Sequence, residues 1–579
     1  MPTTGHRVAF ECDGRPVEVE GAPGESLLTA LRERLGITGV KDGCAPQGQC
    51  GCCTVLVDGD ARVACVTPLE RVAGRTVTTL AGLPTELCDR LVDAFVATGG
   101  SQCGFCTPGI MVRAASLLGK GRVGHTDVDR ALAAHLCRCT GWQTVVEAID
   151  DVVNPVVRVG SPRDLQAAAR RATLEGGVGQ AVGPAVPTGD AGFADDTAPR
   201  DALVAVPLAP GMDPDAAGAV AVGPHHWVLD ETLGAARARA GKVQGRRSTV
   251  EDRPPVPLPD LPDGGVRLAT SWVEPAYLEP DASWCEPGGE AASPLANGGA
   301  FGSKSRSLAP GVARVLADGA GRSVRVVFAR EDCVRLGPKR PPIAASAVWR
   351  DGAVQIKGHV ANGAWAEDAA WPLAYALPLA VRWSPHSVTG PPVGRGRATG
   401  LAEQTALVEG AISAAGLDRV SIVADDRIGG VLLDTAARLP EGDACAGARV
   451  LLDDRGALTG VSVRVAAGDP LDEVVLRSYC IGAVHMALGW VLTEGLAVDP
   501  ERGDVLDLTI RSFGIVRPAR MPRVEVEIVD DPGAPRPAAS DAVFAAVAAA
   551  TWNAIGAYEA VRPEAWPART TAAARALAR

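Results

Sequence analysis

The chain has 579 residues, which is enough for several domains. Its net charge is −11 and it lacks a long basic block, so nucleic-acid binding is disfavoured. The N-terminal residues lack the apolar core of a signal peptide. The longest apolar run that we identified, residues 542–552, is too short to cross a bilayer. We therefore expect a soluble, cytoplasmic protein without a membrane partner.

The cysteines are unevenly distributed along the chain. Eleven of the fifteen lie between Cys12 and Cys139. A disulfide framework would require an oxidising compartment, whereas clustered cysteines in a cytoplasmic protein indicate metal ligands. We interpret Cys12 and Cys88 as ordinary buried thiols, because they stand apart from the spaced groups.

Two hairpins and a helix are predicted around the first cysteine group. The hairpins cover residues 8–12 with 17–20 and residues 54–57 with 62–66, and the helix covers residues 27–35. Ser26 is a suitable N-cap for this helix, and Gly36 is a suitable end. Strands, one helix and a glycine-rich cysteine loop are the layout of a plant-type ferredoxin, which has a β-grasp fold.

The first cysteine group has a spacing suited to a [2Fe–2S] cluster. Plant-type ferredoxins use C-x4-C-x2-C, and this chain has one more residue in the first gap. Cys52 and Cys53 are both candidates for the third ligand position. We choose Cys53 because it keeps the two-residue gap after Cys50 and directly precedes a strand. Zinc is the alternative occupant. The predicted ligands are Cys44, Cys50, Cys53 and Cys65.

A second group of cysteines lies at the ends of predicted helices. Thr107 is expected to cap the first helix, with Pro108 at its first position. A second helix is expected to run from Thr126 through Leu136, and Thr140 is expected to cap a third. Helix N-termini favour the negative charge of a cluster. The predicted ligands of a second [2Fe–2S] cluster are Cys103, Cys106, Cys137 and Cys139.

The stretches QCGFCTPG (residues 102–109) and LCRCTGW (residues 136–142) carry a family resemblance. Residues 1–150 resemble the iron–sulfur subunit of the xanthine dehydrogenase/aldehyde oxidase/carbon monoxide dehydrogenase family, the molybdenum hydroxylases. The resemblance implies that the cluster of the helical domain lies nearer the molybdopterin. It implies that the ferredoxin-like cluster lies nearer the point where electrons leave the protein. It also implies that Gln102 touches the pterin; the alternative is an exposed polar side chain.

Later motifs resemble the molybdopterin-binding subunit of the same family. Residues 272–280 resemble its EP motif, residues 297–304 its GGxFGxK turn, and residues 394–396 its RG loop. The resemblance implies that these segments meet the pterin through Gly298, Gly299, Phe301, Gly302 and Arg395. For Glu279 and Lys304 the alternative is an inherited structural role.

The resemblance implies an α+β multidomain chain. We expect a ferredoxin-like domain over residues 1–80, a helical [2Fe–2S] domain over 81–157, a linker and small α/β domain over 158–260, and a shortened molybdopterin-binding-like domain over 261–579. A flavin (FAD) domain does not fit, because residues 151–265 are too few and lack a glycine-rich pyrophosphate loop.

Two features of catalytic family members are missing from this sequence. We find no second pterin loop before residue 483. The terminal GxGE-type stretch, whose glutamate is the general base, corresponds here to residues 533–541 without a glutamate. Asp541 is a weak substitute, so the catalytic residues stay unassigned.

Three functions are therefore open. The leading hypothesis is an electron-transfer subunit that serves a catalytic molybdopterin partner and passes electrons to a flavin subunit or another acceptor. The second is a compact hydroxylase that binds its own molybdopterin. The third is a redox sensor or scaffold without turnover.

Overall fold

The computed structural model describes residues 6–121, 124–155, 163–243, 245, 252–295, 299–362, 378–394, 398–417, 435–438 and 444–578. Four sheets and their covering helices make up these residues. The α+β multidomain class predicted from the sequence is confirmed.

The first sheet forms the ferredoxin-like domain, with strand order β2-β1-β5-β3-β4. Its elements are β1 (His6–Cys12), β2 (Arg15–Gly21), α1 (Leu27–Thr29), β3 (Thr54–Val57), β4 (Asp60–Val63) and β5 (Thr76–Thr78). The Ser26 hydroxyl accepts a hydrogen bond from the Thr29 amide, as predicted. The predicted strand to residue 66 is too long, because β4 ends at Val63 and Cys65 lies in a 3-10 turn.

Helices alone form the second domain, as predicted. They are α2 (Thr85–Thr98), α3 (Thr107–Leu118), α4 (His125–Leu132) and α5 (Gln143–Val153). Both predicted caps, Thr107 and Thr140, are wrong, and the second helix begins one residue before the predicted Thr126. Thr107 is the first helical residue rather than the cap, Gly124 precedes α4, and Trp142 precedes α5. The second helix also ends before Leu136, because the chain turns there to bring the next cysteines inward.

The small α/β domain contains a mixed sheet of order β10-β11-β6-β8-β7. Its elements, with α6 ahead of them, are α6 (Leu165–Gly176), α7 (Ala194–Thr197), β6 (Leu203–Pro207), α8 (Pro214–Ala217), β7 (Val220–Val222), β8 (His225–Asp230), α9 (Leu233–Ala240), β10 (Ala282–Cys285), α10 (Ala309–Ala320), β11 (Val324–Val327) and α11 (Arg330–Leu336). The strands of this sheet lie on both sides of the domain boundary that we expected between residues 260 and 261. The domain boundaries stay a prediction.

Two further sheets pack on long helices in the C-terminal half. One has the order β14-β13-β12-β9-β19 and the other β15-β16-β17-β18. The strands are β9 (Val266–Thr270), β12 (Ile343–Arg350), β13 (Ala353–Ala361), β14 (Leu379–His386), β15 (Thr435–Arg438), β16 (Cys445–Leu452), β17 (Leu458–Ala466), β18 (Arg523–Ile528) and β19 (Ala565–Trp566). The helices are α12 (Thr399–Ala414), α13 (Glu473–Leu492), α14 (Ala539–Glu559) and α15 (Ala572–Ala578).

One described helix, α13, is long and apolar enough to cross a membrane by length and composition. The search of the sequence for apolar runs missed it. Of its most apolar window, 83% is buried inside the protein. Core helices of soluble proteins have the same properties, so the helix is weak support for a membrane span.

The cysteine-rich domains share one apolar core with later parts of the chain. Trp272, Leu496 and Phe513 are buried in the same cluster as the ferredoxin-like and helical residues. These domains are therefore built into the molecule.

Charged side chains also hold the ferredoxin-like domain against the α/β domain. Arg32 pairs with Asp195 at 2.7 Å and with Asp196 at 2.8 Å, and Lys41 pairs with Asp196. Lys41 is almost completely buried, and burial lowers the pKa of its amine while Asp196 raises it. Opposite charges thus form part of the interface, and separating the two domains would remove these pairs.

Candidate metal centres

The thiols of the first cysteine group converge in one buried loop. The Cys44 thiol contacts those of Cys50 and Cys65, and Cys65 contacts Cys53. Cys52 lies beside Cys50. This geometry supports Cys53 as the fourth ligand, and the choice between Cys52 and Cys53 stays a prediction.

Backbone groups are arranged to meet sulfur atoms in this loop. The amides of Gln47 and Gln49 lie 3.2 and 3.5 Å from Cys44 Sγ, and the Cys65 amide lies 3.4 Å from Cys53 Sγ. Hydrogen bonds to the sulfurs stabilise the charge of a cluster. A Cβ on Gly43 would lie 3.1 Å from Cys50 Sγ, so the backbone approaches this sulfur closely and a larger side chain would push it away.

The second cysteine group joins two loops of the helical domain. Cys106 contacts Cys137, and Cys103 contacts Cys139. The Thr140 hydroxyl lies 3.0 Å from Cys137 Sγ and so serves this loop rather than the predicted helix cap.

The donor sets fit two-iron clusters better than single ions. In the described part of the chain, no three His, Cys, Asp or Glu side chains are grouped to hold one metal ion. Zinc requires four ligands around a single centre, whereas the thiolates of a [2Fe–2S] cluster are divided between two irons. The zinc alternative is therefore disfavoured for these residues.

The two cysteine loops touch directly. The Leu136 amide donates to the Cys50 carbonyl at 2.9 Å, and a Cβ on Gly109 would lie 2.4 Å from the Gly51 carbonyl oxygen. His135 Nε2 shares a hydrogen bond of 3.1 Å with the Thr54 hydroxyl. Burial lowers the pKa of His135 to about 4, so the ring is neutral near pH 7.

His135 was missed in the sequence, although its place directly before the LCRC stretch could have drawn attention to it. Arg138, between two predicted ligands, was also missed. Its guanidinium forms a buried pair with Glu494, with distances of 2.5 and 2.7 Å. This pair connects the helical domain to the C-terminal half.

The structure places Gln102 at a filled interface. Its Nε2 donates to the Cys139 carbonyl at 3.0 Å and to Ser478 Oγ in α13 at 2.9 Å. A Cβ on Gly482 would lie 1.8 Å from the same carbonyl oxygen, so α13 packs directly on this surface. The cavity beside Gln102 has room for about one water molecule. The predicted contact of Gln102 with a pterin stays a prediction.

Only part of the predicted glycine turn is described. Gly298 and Arg395 lie outside the described residues. Gly299 and Gly302 lie in a 3-10 helix over Gly299–Arg306, in which Phe301 has a φ of 55°. In the described part of the chain, no hydrogen bond joins Gln102 to this turn.

Lys304 and Glu279, which adjoin that turn, are paired with each other. The Lys304 amine lies 2.7 Å from Glu279 Oε2 and also donates to the carbonyls of Pro280 and Pro294 at 3.3 Å. Burial raises the pKa of Glu279, while Lys304 lowers it. These contacts support the structural alternative for both residues.

Two family models match the cysteine-rich part of the chain. The model of the 2Fe-2S iron-sulfur cluster binding domain matches residues 10–78. The model of the [2Fe-2S] binding domain matches residues 76–150. The two matched ranges contain the two predicted ligand sets, one set in each range.

Curated relatives match the same region. The xanthine dehydrogenase iron-sulfur-binding subunit of Escherichia coli is 38% identical over 150 residues, which cover 25% of this chain and 93% of the relative. This chain belongs to the molybdenum hydroxylase family. The small subunit of nicotine 6-hydroxylase from Paenarthrobacter nicotinovorans is 38% identical over 151 residues, covering 26% of this chain and 91% of the relative.

A larger molybdenum hydroxylase matches over a small share of its length. The aldehyde oxidoreductase of Megalodesulfovibrio gigas is 46% identical over 133 residues, which cover 22% of this chain and 15% of that relative. These matches confirm an oxidoreductase family with two [2Fe–2S] domains.

Solved structures of molybdenum hydroxylases extend the likeness to the whole chain. The aldehyde oxidoreductase of Desulfovibrio gigas matches with a TM-score of 0.73 and 16% identity, covering 99% of both chains. That of Desulfovibrio desulfuricans matches with a TM-score of 0.74 and 16% identity, covering 99% of this chain and 100% of the other. At this identity the likeness shows the fold alone.

Proposed function

We propose that this chain carries electrons through two [2Fe–2S] clusters for a catalytic molybdopterin partner and does not hydroxylate a substrate itself. The observation that carries the proposal is the position of Gln102. Its amide nitrogen donates to the Cys139 carbonyl and to Ser478 Oγ, and α13 packs beside this carbonyl, where the resemblance places the pterin.

The start of α14 supports the same conclusion. The resemblance places the general base of catalytic members just before this helix. Here the Ser540 amide donates to Glu175 at 2.8 Å, and Glu175 is paired with Arg171. Both of these side chains are 0% exposed. A general base must reach the substrate proton, whereas Glu175 is fully buried and held by Arg171 and the Ser540 amide.

The contact between the cysteine loops supports electron transfer within the chain. The hydrogen bond from the Leu136 amide to the Cys50 carbonyl joins the loop of one ligand set to the loop of the other. Both residues are buried, so the connection between the clusters is shielded from water. A bound cluster supplies one-electron chemistry, and these residues fix where it takes place.

One observation favours a second candidate, the compact hydroxylase with its own molybdopterin. The fold likeness to aldehyde oxidoreductases covers 99% of the chain, and it therefore includes the region beyond residue 150.

Metal analysis of the full chain produced alone distinguishes the two candidates. We expect four irons and four acid-labile sulfides, since two clusters contain two of each, and little molybdenum. In the native host a molybdopterin subunit should co-purify, and the molybdenum of that complex is the control. Near-stoichiometric molybdenum in the isolated chain, with bleaching of its clusters by an aldehyde or N-heterocycle, would establish the compact hydroxylase instead.

A further inference from the structure

Arg330 reaches from the α/β domain to the first cysteine loop. It begins α11, and its side chain is completely buried. Its Nη2 donates to the Gly43 carbonyl at 3.0 Å and to the Leu278 carbonyl at 2.7 Å. Gly43 directly precedes Cys44 and packs against Cys50 Sγ. The guanidinium therefore lies against the backbone of the loop that holds the first ligand set.

The charge of Arg330 has no carboxylate partner. Among the described residues no acidic group lies within ion-pair distance of it, and its Nη1 has no hydrogen-bond acceptor. Arg32 and Arg138, which are also buried, each have a carboxylate partner. A buried cation is costly unless an opposite charge compensates it.

Few of the groups around Arg330 can compensate its positive charge. Cys333 and Tyr277 are neutral near pH 7, because burial raises the pKa of each well above its ordinary value. Glu274 is compensated by Lys339 at 2.9 Å. The remaining group that faces Arg330 is Cys50, a proposed ligand of the first cluster, which would carry negative charge when it holds iron.

We propose that Arg330 is the counter-charge of the ferredoxin-like cluster and raises its reduction potential. This inference rests on the proposed ligand set Cys44, Cys50, Cys53 and Cys65. Four thiolates give the oxidised cluster a net negative charge, and reduction of one Fe³⁺ to Fe²⁺ adds one more electron. A fixed cation close to the loop stabilises the reduced form more than the oxidised form. Arg330 thereby makes this cluster easier to reduce than it would be without the charge.

The test is an EPR-monitored titration of the full chain with dithionite, in which the two cluster signals are followed separately. Arg330→Gln removes the charge and keeps an amide donor. We expect the equilibrium constant for reduction of the ferredoxin-like cluster to fall by about tenfold or more. For one electron this lowers the reduction potential by about 59 mV. The potential of the helical cluster should not change.

Two variants serve as controls. Arg330→Lys keeps the charge and should lower the potential less than Arg330→Gln does. Arg325→Gln removes another arginine at this domain interface, which pairs with Glu33 at 2.6 Å and does not contact the cysteine loop. It should leave both potentials unchanged.

Unchanged potentials in Arg330→Gln, or an equal shift of both clusters, would overturn the inference. If Arg330→Gln loses the cluster, Arg330→Lys decides. If the reduction equilibrium of the ferredoxin-like cluster weakens tenfold in Arg330→Lys although the charge is retained, the role of Arg330 as counter-charge is refuted. A potential near that of the wild type supports this role. Failure of the proposed function looks different, because one or both cluster signals would then be missing from the wild-type chain.

Discussion

The two parts of this molecule differ in what they keep of their relatives. The first 150 residues match free-standing iron–sulfur subunits at 38% identity, and both cysteine groups converge there. The remainder shares the fold of aldehyde oxidoreductases at 16% identity. In it, Ser478 of α13 binds Gln102 of the first part, and buried Glu175 of α6 accepts a hydrogen bond from the start of α14. The comparison teaches that a fold can persist where little of the sequence is shared.

The largest expected effect concerns the clusters of the first 150 residues. Cys53→Ser should remove the ferredoxin-like cluster and halve the iron content, because Cys53 contacts Cys65 within the proposed set. Cys52→Ser is the matched control and should retain both clusters. Iron analysis and EPR of the reduced protein check both variants. The reverse outcome would show that the longer first gap shifts the ligand register by one residue.

The connection between the two parts can be broken at a buried ion pair. Arg138 and Glu494 are 6% and 1% exposed, and Arg138→Ala leaves the carboxylate without its partner. We expect a loss of about 3–5 kcal/mol in the free energy of unfolding, measured with denaturant. Arg477→Ala breaks a half-exposed pair with Glu147 across the same boundary and should cost about 0–1 kcal/mol. Equal losses would mean that burial does not determine the strength of this connection.

The smallest effect concerns pH and the C-terminal part. His485 is buried in α13 and shares a hydrogen bond of 2.9 Å with the Val516 carbonyl. Burial and the charge of Arg138 lower its pKa to about 4. The unfolded chain takes up a proton below pH 6.5, while the folded chain stays neutral down to about pH 4. Stability is therefore lost as the pH falls through this window.

We expect His485→Gln, which keeps a donor for Val516, to remove about 2 kcal/mol of the stability difference between pH 7 and pH 5. Exposed His125→Gln is the control and should leave the pH dependence as it is. Thermal unfolding at the two pH values measures both variants. A pH profile of His485→Gln that matches the wild type would show that the ring titrates normally in the fold.

The cysteine groups could be predicted because their members are close in sequence and constrained by the geometry of iron. The helix starts could not. Thr140 looks like a cap, but its hydroxyl lies beside Cys137, and Trp142 precedes the helix with a φ of 71°. Local capping preferences of about 1 kcal/mol give way where the chain must deliver thiols to a site.

Long-range partners were beyond the reach of the sequence. Ser478 lies 376 residues from Gln102, and Gly43 lies 287 residues from Arg330. No spacing rule connects such positions, since only the packed fold brings them together. The predicted pterin contact of Gln102 came from resemblance, and the contact of this side chain with Ser478 could not be predicted from the sequence.

The matched charges between the ferredoxin-like domain and the α/β domain have a consequence for domain exchange. Arg32 and Lys41 lie on one side, and Asp195 and Asp196 on the other. Asp195 also pairs with Arg325 of the α/β domain at 3.4 Å, whereas Asp196 is paired with Arg32 and Lys41. A ferredoxin-like domain grafted from a separate subunit would therefore bury Asp196 without these cations. A working hybrid must supply a positive charge opposite Asp196, so this interface favours its own two domains over exchanged ones.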